Sequence, residues 1–144
     1  MTQVREIDVM TGAETTRPYV AAELAALPPP PTLAEAKAAK LAALAALRYA
    51  RETGGIAGFR TDRESQALLT GAALAATLDA GYSVDWKGEA GWVALNATQL
   101  LDAAQAVRAH VQACFSNERA HAEAIEALAT TEAVQAYDVT TGWP

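Results

Sequence analysis

Apolar positions along this chain change their period several times, and each change marks an element. Ile7 and Val9, then Thr15, Thr16, Tyr19 and Val20, flank Thr11-Gly12 within the segment Val4 to Val20, where Pro18 is tolerated only at an edge. A small hairpin or extended arm is expected there. Pro28 to Pro31 follow, a polyproline II spacer of about 3.1 Å per residue. Thr32-Leu33-Ala34-Glu35 is a capping box, in which hydroxyl and carboxylate satisfy orphan amides reciprocally. It opens a helix that runs to about Glu52, where Thr53-Gly54-Gly55 ends it. Leu33, Leu41, Leu44 and Leu47 share one side of this helix, flanked in the same half by Lys37, Lys40, Arg48 and Arg51.

Ile56 to Arg60 read as a short strand, and Thr61-Asp62-Arg63-Glu64 as a second capping box. The helix it opens carries Leu68, Ala72, Leu74, Ala75 and Leu78 to about Asp79. Gly71 inside it costs up to ~1 kcal/mol relative to alanine and implies close approach of another backbone. Tyr82, Val84 and Trp86 alternate with Ser83 and Asp85, Lys87 to Gly91 has turn composition, and Trp92-Val93-Ala94-Leu95 returns, which predicts a β-hairpin. Asn96-Ala97-Thr98-Gln99 is a third capping signature. Beyond it Leu100, Ala104, Val107, Val111, Cys114, Glu118, His121, Ile125 and Leu128 step alternately by four and three, the spacing of a helix-to-helix seam. Unbroken, about 32 residues give a helix on the order of 48 Å; Ser116-Asn117 could instead divide it into a helical pair. A short helix from about Thr131 to Tyr137 precedes the tail. The expected fold is α+β and mainly helical, with small hairpins on helices and a long C-terminal helix or helical pair. Residues 1–31 form the arm and spacer, and residues 32–144 the domain.

Composition sharpens this picture. Alanine is about a quarter of the 144 residues and is the best helix former, yet it buries little area. A core built from leucine, valine and three tryptophans is therefore thin, which implies apolar surface borrowed from a partner or from another copy. The net charge of −6 disfavours phosphate neutralisation on nucleic acid and attraction to an anionic membrane. No apolar run reaches the ~20 residues of a spanning helix, and the start lacks signal-peptide order, so a soluble chain without its own export signal is expected.

Candidate chemistry is sparse. His110 and Cys114 stand at i and i+4, but two ligands do not make a zinc site, and His121 lies roughly 16 Å further along the axis. Glu118-Arg119-Ala120-His121 has the Glu-x-x-His form of di-iron bundles without the second copy such sites require, and reads as a polar layer in the seam. Neither Ser65 nor Ser116 sits in a nucleophile turn, and the glycines from Gly54 to Gly58 lack P-loop or dinucleotide spacing. No catalytic residue, metal or cofactor is expected. Candidate partner-binding positions are Leu33, Leu41, Leu44 and Leu47 on the first long helix, Val107 and Val111 on the seam, and Trp143. The seam is expected to be an association surface, because it outruns what a compact domain needs. Trp143 is expected to pack somewhere despite its place near the end.

Several short stretches occur in a suggestive order: Arg51-Glu52-Thr53-Gly54-Gly55-Ile56, Thr61-Asp62-Arg63-Glu64-Ser65-Gln66-Ala67, Trp86-Lys87, Ala106 to Phe115, and Gly142-Trp143-Pro144. Over about residues 45–144 they resemble a small-domain family of tailed bacteriophages and prophages, domain of unknown function 4376. The resemblance implies a non-enzymatic component at the baseplate or fibre end of a phage tail, bound to tail or fibre proteins in the virion. A tail-fibre assembly chaperone acting in the host cytoplasm is the alternative, and a small host-directed enzyme a third. No catalytic residues transfer from the family.

Overall fold

The computed structural model describes residues 3–88 and 90–144, and the chain divides into two compact units, 1–31 and 32–144. In the first unit, β1 (Gln3–Ile7) and β2 (Glu14–Pro18) pair antiparallel, with Val4 opposite Arg17 and Ile7 opposite Glu14. Asp8 builds the turn: its carboxylate accepts from the amides of Met10 at 2.8 Å and Thr11 at 3.1 Å, which holds its pKa below the ordinary value. A helix the sequence reading did not foresee, α1 (Ala21–Ala26), follows. Its Glu23 pairs with Arg17 at 2.7 Å and accepts from the Val20 amide, and these contacts, Arg17 first, hold the carboxyl down at about 2. None of residues 3–31 is buried.

The second unit is organised by one helix. α4 (Ala97–Ala127) is continuous through Ser116-Asn117, so the helical-pair alternative does not hold. Its 31 residues span roughly 46 Å. Such a rod fits a small domain because its two halves serve different cores. Leu100, Ala103 and Val107 in the first half pack with Leu69 and Ala76 of α3 (Arg63–Leu78) and with Leu95 of the hairpin β3 (Ser83–Gly88) and β4 (Gly91–Asn96). Ile125 in the second half packs with Ala36 and Leu44 of α2 (Leu33–Glu52) and Val134 of α5 (Thr131–Ala136).

Two capping boxes form as the sequence predicts. The Thr32 hydroxyl accepts from the Glu35 amide while the Glu35 carboxylate accepts from the Thr32 amide, and Asn96 and Gln99 exchange the same pair of bonds. The third is corrected. Asp62, not Thr61, caps α3 by accepting from the Ser65 amide at 2.9 Å, and Thr61 is buried with its hydroxyl accepting from the Gly55 amide. The expected strand Ile56 to Arg60 is also corrected: it is a tight reversal. Ile56 and Phe59 exchange two backbone bonds across Ala57 at φ +50° and Gly58 at φ +82°. Two successive positive φ angles make a turn of the mirror-image type and leave no room for a longer ladder.

Lys37 and Lys40 find targets inside the unit. Lys37 Nζ donates to the Glu126 carbonyl at 2.6 Å, and Lys40 Nζ to the carbonyls of Gln135 and Tyr137 at 2.9 and 3.0 Å. These carbonyls lie at the C-terminal ends of α4 and α5, where a cation both satisfies orphan acceptors and opposes the helix dipole. Lys40→Ala is expected to destabilise the unit by about 1.5 kcal/mol, the scale of a charged hydrogen bond, measured by urea unfolding. A loss below a few tenths would show that water replaces the ammonium freely.

Candidate functional site

Three of the short stretches singled out in the sequence, around Arg51, Thr61 and His110, meet between the two cores. Arg51-Glu52 ends α2, Thr61 precedes α3, and His110 and Cys114 lie mid-way along α4. His110 Nε2–H donates to the Arg51 carbonyl at 3.0 Å, with Cys114 Sγ 3.8 Å from the same nitrogen. Burial, and then the Glu52 carboxylate, push the Cys114 thiol up and away from a reactive thiolate. Glu52, 1% exposed, takes Arg48 on one side and lies 3.4 Å from Arg63 on the other. Arg48 also reaches Glu118 at 3.1 Å and lies over the Phe115 ring at 4.6 Å. Burial opposes the Arg48 charge, but the two carboxylates outweigh it and raise its pKa.

A second polar knot ties down the tail. His121 Nε2–H donates to the Thr141 carbonyl at 3.0 Å, its Nδ1 accepts from the Tyr137 hydroxyl at 2.8 Å, and Trp143 stacks on its ring at 6.0 Å. Gly142 sits at φ +74°, and a Cβ there would fall 2.8 Å from Asn117 Oδ1. The Gly-Trp-Pro ending is thus a clasp. Among the described residues no buried side-chain polar atom lacks a partner, and no cluster of three metal-ligating side chains forms. The Glu118 to His121 stretch is a structural polar layer, split between the two knots.

A model of the family described as a domain of unknown function, DUF4376, matches residues 35–141, a span that takes in the first knot whole and the second except for Gly142 and Trp143. The chain belongs to the DUF4376 family. The match starts ten residues before the boundary expected near residue 45, so nearly all of α2 is part of the domain. No curated protein and no solved structure matches the chain.

The expected partner-binding positions of this DUF4376 domain lie largely inside it. Leu44 is in the second core with Leu33, Leu41 and Trp143 against it, and Val107 is in the first with Val111 against it, while Leu47 is half-buried. These stripes are spent within the chain because α2 and α3 already cover α4. A surface role for Leu44 and Val107 is therefore replaced by a core role.

What the DUF4376 domain leaves open lies elsewhere. A groove of about 840 Å³ runs between α3 and the hairpin, with Leu68, Gly71 and Ala72 on one wall and Tyr82, Trp86 and Trp92 on the other. Trp86 is held from behind by Phe59 at 6.1 Å, while Trp92 is 72% exposed with the Lys87 ammonium 5.8 Å from its ring centre. Arg60 and Asp62, paired at 3.3 Å, also line the groove. Of the apolar residues that the sequence puts on α3, namely Leu68, Ala72, Leu74, Ala75 and Leu78, the three leucines face out, and the buried residues of the helix are Leu69, Ala73 and Ala76. An exposed aromatic and aliphatic wall of this kind suits a macromolecular partner.

Proposed function

We propose that this DUF4376 protein is a non-enzymatic component of a bacteriophage tail, at its baseplate or fibre end, which works by protein–protein binding through residues 1–31. The binding role rests on the state of that unit. It buries none of its described residues, yet it exposes Ile7, Val9, Met10, Val20, Leu24 and Leu27. A two-stranded hairpin is marginal in water by itself, so this one gains its stability from a partner surface, for which strand addition at a free edge is a ready route. Tail membership is supported by the resemblance of the ordered stretches from Arg51 to Pro144. A non-catalytic role is supported by the engagement of His110 and His121 in fixed intrachain bonds.

Mass spectrometry of purified particles tests the assignment. Stoichiometric peptides are expected; absence from particles together with capture of free fibre ends would mean an assembly chaperone instead. Deleting residues 1–31 is expected to leave the 32–144 unit cooperatively folded and absent from particles. Normal incorporation of that truncated chain would remove the arm from the proposal.

A further inference from the structure

β3 has an open edge. It pairs with β4 in unbroken register, from Ser83 opposite Asn96 to Gly88 opposite Gly91, and among the described residues it has no other neighbour in a sheet. In an antiparallel pair alternate residues turn their backbone groups away from the partner, so β3 presents about half of its N–H and C=O groups outward along roughly 20 Å. No further backbone hydrogen bond reaches β3 from the described residues. Proteins ordinarily protect such an edge with a proline, a bulge or a projecting lysine. β3 has neither proline nor bulge, and its one lysine, Lys87, stands over the Trp92 ring of β4.

The groove between α3 and the hairpin runs along this edge. Successive side chains of a strand point to opposite faces, and here Val84 and Trp86 from one face and Asp85 and Lys87 from the other all line the groove. A groove lying over a single face would take one set only. Leu68, Gly71 and Ala72 of α3 form the wall across from the strand. Gly71 disfavours a helix relative to alanine, yet a Cβ built on it meets no atom within 4 Å. Nothing among the described residues of the unit needs that glycine, and its effect is to widen the groove at mid-helix.

We infer that this groove is a strand-addition site, in which an extended segment of a partner protein, with apolar side chains at alternate positions, lies against α3 and pairs with the outer edge of β3. The main chain of such a segment supplies the donors and acceptors that the edge lacks. Its apolar side chains meet Leu68, Ala72 and the space over Gly71, on a helix that carries no charge over residues 65–78. Glu64 and Asp85 also line the groove and form no ion pair with the described residues, whereas Arg60 is held by Asp62 and Lys87 by the Trp92 ring. A segment that carries lysine or arginine is therefore favoured.

Fluorescence anisotropy of the full chain with labelled seven-residue peptides tests this independently of the tail assignment. In these peptides alanine, valine, leucine or phenylalanine alternates with threonine between terminal lysines. The larger three should bind saturably, and the alanine peptide about fivefold more weakly. N-methylation at alternate residues of the tightest binder should abolish binding in one phase and spare it in the other, because only one phase donates to the ladder. Gly71→Leu should weaken binding by about tenfold or more, since it fills the groove, and leave the melting temperature unchanged or higher, since the added side chain meets nothing in its own chain. Hydrogen exchange should slow within Ser83–Lys87 on binding. Absence of saturable binding by all four peptides up to about 1 mM overturns the inference. So does binding that N-methylation in both phases or Gly71→Leu leaves unchanged, or protection that falls on residues 1–31 instead. A full-chain dimer that Gly71→Leu separates would put a second copy in the groove and overturn the assignment to a separate partner.

Discussion

Glu52→Ala should cost the folded unit about 3–5 kcal/mol, the scale for removing one partner of a buried ion pair, and thereby a large share of a typical 5–15 kcal/mol stability. Glu52 is enclosed at the end of α2 and balances Arg48, which is itself largely shielded, together with the more exposed Arg63. Deleting the carboxylate leaves Arg48 with Glu118 alone, on the far side of its guanidinium. Replacing both Glu52 and Arg48 by leucine and methionine should recover most of the loss, because charge burial and its compensation vanish together. Urea unfolding of the single and double variants measures this. A single variant within 1 kcal/mol of the wild type would mean that water enters the knot and solvates Arg48.

Those elements were legible in the sequence whose cause is local. Thr32 and Glu35 bond each other across three residues, as do Asn96 and Gln99, so residue spacing suffices to place both helix starts. Alternation around Trp86 and Trp92 likewise places the hairpin, whose register sets Lys87 opposite Trp92. The basic face of α2 is different. Lys37 and Lys40 look like solvated charges until α4 and α5 bring their last carbonyls within reach, across 89 to 97 positions of sequence. Nothing in the neighbourhood of Lys40 encodes that target.

The buried face of α3 is not legible in the sequence for a related reason. A period identifies the buried side only when polar residues mark the opposite one, and residues 65–78 contain no charge to do so. Residue size does not mark the buried side either: Leu68, Leu74 and Leu78 are exposed while Leu69, Ala73 and Ala76 are buried. Small residues fit there because two helices approach closely. On α4 the heptad-like spacing did identify much of the buried face, including Leu100, Val107, Cys114, His121 and Ile125, but beyond the first residue, Ala97, it missed Ala103 and His110. Those two are buried because α4 is covered by both α2 and α3, which widens its apolar sector beyond a two-helix seam.

That widened sector decides what a charge at Val107 would do. Val107 is 5% exposed within the first core, among Leu69, Leu100 and Ala103. Val107→Asp would bury a carboxylate with no cation in that cluster and remove apolar packing as well, at a cost of about 4 kcal/mol or more. The expected result is an unfolded or partly folded 32–144 unit at room temperature, seen as loss of a cooperative thermal transition by circular dichroism. Val111→Asp, on the half-buried flank, should give a lowered but still cooperative transition. A Val107→Asp chain with native stability and altered association would place this position on an intermolecular seam after all, and α3 would then have to pack on α4 differently.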